Sequence, residues 1–219
     1  MDQATFIFDI LIPNLGEGFL FTLALIALSA PCGLLVGMGV AAGRVYGTRP
    51  LRILAKGYVV FFKGCPLLLL LFILYFGLPS LGLPLGAFLS AVLGFIFCNS
   101  AYNSEFIRGA IHSIKEGQFT AAQALGMSRG QVIRYIIMPQ AVRKAFPGIM
   151  NEFIYLIKFS SLAYMITVIE LTGAGKMIAT KYFMFTETFF ILGLVYLVLV
   201  SVTTVAAHFI EKKYRIIAQ

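Results

Sequence analysis

Residues 64–104 read GCPLLLLLFILYFGLPSLGLPLGAFLSAVLGFIFCNSAYNS, 41 residues between Lys63 and Glu105 without one Asp, Glu, Lys or Arg. A helix that crosses a bilayer needs about 20 predominantly apolar residues. The run is therefore long enough for two crossings. The glycines and prolines of Gly77-Leu-Pro-Ser-Leu-Gly-Leu-Pro-Leu-Gly86 supply the turn between them. Outward from this stretch, a charge-free run of 26 residues separates Glu17 from Arg44, and one of 23 separates Glu187 from Glu211. A further apolar stretch, 145–169, is interrupted by Glu152 and Lys158. The fold class expected is all-α integral membrane protein: one transmembrane domain, 1–219, with five spans at about 18–43, 58–77, 87–108, 147–169 and 187–208.

Composition agrees. The 219 residues are 60% hydrophobic and 12% charged, with 21 Phe and a mean hydropathy of +0.93. Soluble domains carry about 25% charge, and disordered chains have far less apolar surface than this. The net charge of +8 raises the question of nucleic acid, but the basic residues sort by side. Arg44, Arg49, Arg52, Lys56 and Lys63 follow the first span. Arg108, Lys115, Arg129, Arg134, Arg143 and Lys144 follow the third, and Lys212, Lys213 and Arg215 end the chain. Fourteen of the 17 basic residues thus fall on one side. The leader carries Asp2, Asp9 and Glu17 and no base. By the positive-inside rule the N-terminus is outside and the C-terminus inside, and no nucleic acid is required. A signal peptide would need a basic leader and a shorter core. Gly33, Gly37, Gly39 and Gly43 let backbones approach within a bundle or across a dimer; internal packing is the simpler reading. Cys32, Cys65 and Cys98 are isolated and expected to be buried, reduced thiols. His112 and His208 lack metal-ligand spacing, so no metal site is expected.

The segment of about 113–140 is the one sizeable hydrophilic loop. Gln118–Gly126 reads as a short helix, with Phe119, Ala122 and Leu125 on one face, Thr120 and Gln123 on the other, and Gly126 as its stop. Ser128-Arg-Gly-Gln131 has the form of a capping box. Pro139 is expected to bend the helix that follows. By physics alone this short helix is a knob for a cytoplasmic partner or an amphipathic helix lying on lipid.

Ala121-Ala122, three residues, Gly126, nine residues, Ile136, one residue and Met138-Pro139 resemble the loop of ABC-importer permeases, whose pattern is Glu-Ala-Ala, three, Gly, nine, Ile, one, Leu-Pro. Thr120 stands where the pattern has Glu, and Met138 where it has Leu. Glu116, one turn earlier, is a substitute carboxylate. Asn99-Ser-Ala-Tyr102, Ser104-Glu105, Arg108-Gly109, Pro139-Gln-Ala141, Asn151-Glu152-Phe-Ile154, Lys158 and Ser160-Ser161 are similar to permeases for polar amino acids of the histidine, glutamine and arginine type. So are Lys63-Gly-Cys-Pro66 and Tyr75-Phe-Gly-Leu-Pro79. The resemblance spans about residues 18–212. It implies a prokaryotic plasma (inner) membrane protein with no cofactor of its own. It also implies a second permease subunit, two cytoplasmic ATP-binding subunits that hold ATP and Mg, an extracytoplasmic solute-binding protein and a polar amino acid as cargo. Glu116, Thr120, Ala121, Ala122, Gly126 and Pro139 become the ATPase-coupling residues. The chain has no Gly-x4-Gly-Lys-Ser/Thr of its own, so it is expected not to be an enzyme.

Ionisable groups within a span are costly and mark function by default. Asn151 and Lys158 fall within about 20° of one helix face, and Glu152 about 100° around. Glu152 suits a substrate ammonium, and Lys158 a carboxylate. Asn99, Tyr155, Ser160 and Ser161 complete the candidate site. The competing reading pairs Glu152 and Lys158 with each other or with the third span. Glu105 and Arg108 look like a structural i,i+3 pair. Alternative functions are an ABC permease for another small solute, such as an oxyanion, and a non-transport membrane scaffold.

Overall fold

The computed structural model describes residues 3–215, with side chains through Lys212 except that of Ala4. Asp2, Lys213 and Arg215, counted above as orientation signals, lie outside the residues or side chains so described. Among the described residues every regular element is helical. A helical lead, Gln3–Asn14 with a π-helical turn at Phe6–Leu11, runs into α1, Gly16–Tyr46. Then come α2, Arg49–Gly64, and α3, Leu67–Phe72, which is extended by a π-turn and a 3-10 turn to Leu81. α4 is Ala87–His112, α5 Glu116–Ala124 and α6 Met138–Phe159, followed by a 3-10 turn at Ser160–Ile166. α7, Leu171–Tyr182, and α8, Phe185–Arg215, complete the chain.

Among the described residues three helical segments are long and apolar enough to cross a membrane: Phe6–Tyr46, Arg129–Ile166 and Phe185–Lys212. The pair Arg49–Gly64 and Leu67–Leu81 makes a fourth if its 103° bend is counted as one broken span. The expected straight helix at 58–77 is therefore corrected. Pro66 cannot donate to the helix behind it and disfavours helical backbone at Cys65, and Cys65 is extended, with ψ 125°. α4 has 26 residues, about 39 Å of rise, but is too polar to join the apolar group. Its polar residues face inward: Asn99, Ser100, Asn103 and Ser104 are all buried.

α4 is the central helix, and α1 lies closely against it. A Cβ on Gly33 would stand 2.5 Å from Asn99 Oδ1, and one on Gly37 2.9 Å from the Ser100 carbonyl. These two glycines pack internally, where hydrophobicity cannot drive association and close backbone contact can. Apolar clusters fill the bundle at three levels: Phe6, Leu11, Leu171 and Leu192 at one end; Leu25, Leu71, Phe95, Leu156 and Ile166 in the middle; and Ile107, Ala122, Val132 and Ile137 at the other end. At that last end Glu105 pairs with Arg108, as expected, and also with Arg44 from α1 at 2.8 Å.

Pro139 does not break its helix. The chain widens into a π-helical turn over Val132–Ile137 just before it, and Gln140 Nε2 donates to the Ile136 carbonyl at 2.9 Å. The helix that carries the fourth expected span thus begins well before 147. The cysteines are unpaired but not buried: Cys32 is exposed, and Cys65 and Cys98 are half-buried.

Candidate functional site

Where α4 and α6 face each other in the middle of the bundle, a cavity of about 20 Å³ is lined by Asn99, Tyr102, Glu152 and Tyr155, with Leu67 and Cys98 at its margin. That volume holds about one water molecule. Glu152 is 9% exposed. Among the described residues its carboxylate accepts no hydrogen bond and has no cation within 4.0 Å. A carboxylate with little exposure and no hydrogen-bond partner is costly unless water or another polar group reaches it, and the cavity is the open side of this one. Asn99 Oδ1 accepts from Asn103 Nδ2 at 2.8 Å, and Asn103 Oδ1 is buried without a partner.

Of the six residues expected in the site, Asn99, Glu152 and Tyr155 come together. Lys158 is exposed, with Nζ 5.3 Å from the Tyr155 ring centroid. It does not pair with Glu152. Ser160 and Ser161 lie beyond the cavity at the end of α6. Their hydroxyls donate to the Ile157 and Lys158 carbonyls, each at 2.7 Å, where the α-helix tightens into a 3-10 turn. Lys63, counted from the sequence among the inner-face charges, lies against α4, with Nζ 5.2 Å from the Tyr102 ring centroid.

The second candidate region is α5. Ala122 is buried and anchors the helix, while Glu116, Thr120, Ala121 and Gly126 are exposed, as is Pro139 on the neighbouring segment. Gly126 has φ +81°, a conformation that glycine adopts without penalty. The Gly126 and Met127 amides donate to the Gln123 and Ala122 carbonyls at 2.9 and 3.2 Å, the double closure of a Schellman stop. The Ser128 capping box is formed in both directions, at 2.8 and 3.4 Å. Lys144 Nζ donates to the Ser113 carbonyl at 3.0 Å and steadies the turn before α5. Leu125, expected on the apolar face with Ala122, is 84% exposed, because the helix ends at Ala124 and the left-handed stop turns it outward. The result is a short helix closed at its end, with an exposed apolar residue, Leu125, at its tip.

Sequence reasoning missed a second buried carboxylate. Glu170, which the charge-free runs do not single out, is fully buried at the start of α7. It accepts from the Thr172 and Gly173 amides, each at 2.9 Å, and from the Tyr196 hydroxyl at 3.0 Å. The Leu171 amide donates to Thr22 Oγ1 at 3.0 Å. The available signal was an acid directly before the small-residue helix Leu-Thr-Gly-Ala-Gly, a place where a side-chain oxygen can cap free amides. Its partner Tyr196 sits in an apolar run and carried no such signal.

The model of the binding-protein-dependent transport system inner membrane component family matches residues 33–216. The chain is 39% identical over 202 residues to a probable amino-acid ABC transporter permease protein, YckA, of Bacillus subtilis (strain 168), covering 92% of this chain and 89% of that protein. It is 35% identical over 205 residues to the arginine transport system permease protein ArtQ of the same organism, covering 93% and 94%. A solved chain described as an amino acid ABC transporter with histidines superposes with a TM-score of 0.86 at 29% identity, over 97% of this chain and 99% of that one. With a bundle of this shape and a family match over most of its length, the chain belongs to the binding-protein-dependent transport system inner membrane components.

Proposed function

We propose that this chain is the permease subunit of an ATP-driven importer for a polar amino acid. The observation that carries the cargo class is Glu152: a nearly buried, unpaired carboxylate beside Asn99 and Tyr155 suits an ammonium group, and it disfavours an oxyanion. Relatives named for amino acids support the same reading. In this reading the chain crosses the membrane five times, with its N-terminus outside and its C-terminus inside. The broken pair α2–α3 is the second crossing and the polar α4 the third. Lys115, Arg129, Arg134, Arg143 and Lys144 gather around α5, which favours that end as the inner face.

Two ATP-binding subunits, which carry ATP and Mg, grip this region through the exposed Glu116, Thr120, Ala121, Leu125, Gly126 and Pro139, while the buried Ala122 seats α5 on the bundle. A second permease copy or a sister subunit completes the path. A solute-binding protein delivers cargo on the outer side. Tyr155 and Lys158, exposed on a membrane helix, then face the path rather than lipid. Because the present cavity has room for only about one water, it must widen for an amino acid to enter. Motion of α5, passed through Val132–Ile137 and Pro139 to α6, supplies that opening by rocking one helix group against another.

The test is to purify the complex in mild detergent, identify its chains, and measure ATPase stimulation across the common amino acids. An ATPase should co-purify and at least one polar amino acid should stimulate it. No response to any amino acid refutes the cargo assignment. Gly126→Trp places a bulky side chain on a left-handed residue at the α5 tip, and should leave ATP hydrolysis running without uptake. Coupled uptake at the normal rate in that variant refutes the docking role.

A further inference from the structure

The sharp elbow between α2 and α3 has a consequence for charge. α2 runs 16 residues from Arg49 to Gly64, about 24 Å, and lies along α4. Tyr58 shares a hydrogen bond with Ser100 at 2.6 Å, and the Phe62 ring stacks on Phe97 at 4.9 Å. The last turn of α2 therefore delivers Lys63 alongside α4, over Tyr102, and Tyr102 lines the same cavity as Asn99 on α4 and Glu152 on α6. The other charges near this depth are differently placed. Lys158 lies against Tyr155, while Arg44, Glu105 and Arg108 are bonded to one another one turn further along α4.

We propose that Lys63 is a specificity-determining residue of the permease: it is the exchangeable counter-ion of Glu152 and sets the charge of amino acid that the path accepts. In the empty site Lys63 partly compensates Glu152 without the fixed geometry of a salt bridge. An incoming ammonium replaces it there, and the freed lysine turns to the substrate carboxylate. A lysine suits this exchange, being a mobile point charge on a flexible stem. With Lys63 and Glu152 cancelling, a zwitterion of net charge zero enters without adding charge to a poorly solvated site. A cationic amino acid brings one uncompensated charge. The permease is thereby a filter for the glutamine type over the arginine type, independent of any selection by the soluble protein.

This inference rests on the amino-acid importer reading, and the test separates the two. Radiolabelled glutamine and arginine are bound to the intact permease–ATPase complex in nanodiscs, without the binding protein, and complex integrity is followed by size exclusion. Lys63→Gln lowers the site charge by one and should shift the arginine-to-glutamine affinity ratio about tenfold toward arginine, as expected for one charge at a separation of several ångströms in a medium of intermediate dielectric. Lys63→Met keeps the stem over Tyr102 and should do the same, which covers a failure of the first variant to assemble. Lys63→Arg should keep the original ratio. An unchanged ratio in an assembled Lys63→Gln or Lys63→Met complex overturns the proposal, even if Glu152→Gln abolishes binding. A wild-type complex that binds neither amino acid refutes the importer reading beneath it.

Discussion

The molecule buries two carboxylates and treats them in opposite ways. Glu170, at the start of α7, is enclosed by the Thr172 and Gly173 amides and the Tyr196 hydroxyl, and it ties α7 to α8 while the adjoining Leu171 amide reaches Thr22 on α1. Glu152, on α6, accepts no hydrogen bond among the described residues and borders a cavity with Asn99 and Tyr155. A charge in a low-dielectric interior is tolerated when its acceptor sites are filled. Glu170 meets that condition and serves the bundle. Glu152 has no hydrogen-bond partner among the described residues and borders a cavity instead. Burial alone, then, does not separate a structural acid from a candidate binding group; burial without a hydrogen-bond partner is the sharper criterion.

The contrast can be broken most decisively at Glu152. Glu152→Ala should cut uptake by about 100-fold, within the range of losing one partner of a buried charged contact, while the complex assembles and its melting temperature is unchanged or higher. Normal uptake in that variant would place Glu152 with Glu170 as a structural acid. Next in size, Glu170→Ala orphans two backbone amides and leaves the Tyr196 hydroxyl with Thr172 Oγ1, at 2.9 Å. It should cost about 2–3 kcal/mol of stability, seen as a lower melting temperature in detergent, with amino-acid affinity retained in the folded fraction. Loss of affinity without loss of stability would reverse the two roles. The smallest effect is expected from Tyr196→Phe, about 1 kcal/mol, because the amides still cap Glu170. A cost as large as that of Glu170→Ala would show that Tyr196 rather than the amides holds the carboxylate.

Much of this was legible in the linear chain. The charge-free runs announced the long helices, since lipid demands uninterrupted apolar length. α5, its glycine stop and its capping box were readable because each depends on residues within one or two turns. Glu152 stood out because an acid inside an apolar run is costly wherever it points. What could not be read was direction and company. The break at Cys65-Pro66 was passed over because the apolar run continues through it. The neighbour of Lys63 was equally out of reach: its charge was legible, but only the packing of α2 along α4 sets it over Tyr102. Leu125 was assigned to a buried face that the helix does not extend far enough to form. Ser160 and Ser161 shared the polar character of the site, but their hydroxyls are committed to their own helix. Arg44 and Tyr196 reach acids on other helices, 61 and 26 residues away in the chain.

The sequence by itself determined that this chain belongs in a membrane, which segments are helical, and where a short closed helix interrupts them. These follow from local backbone preference and from the cost of polar groups in hydrocarbon, both of which act residue by residue. The tertiary structure alone decided which buried charge is satisfied and which is left waiting. Hydrogen-bond partners come from helices distant in the chain, and their meeting depends on where glycines let α1 close on α4 and where Pro66 turns α2 away from α3.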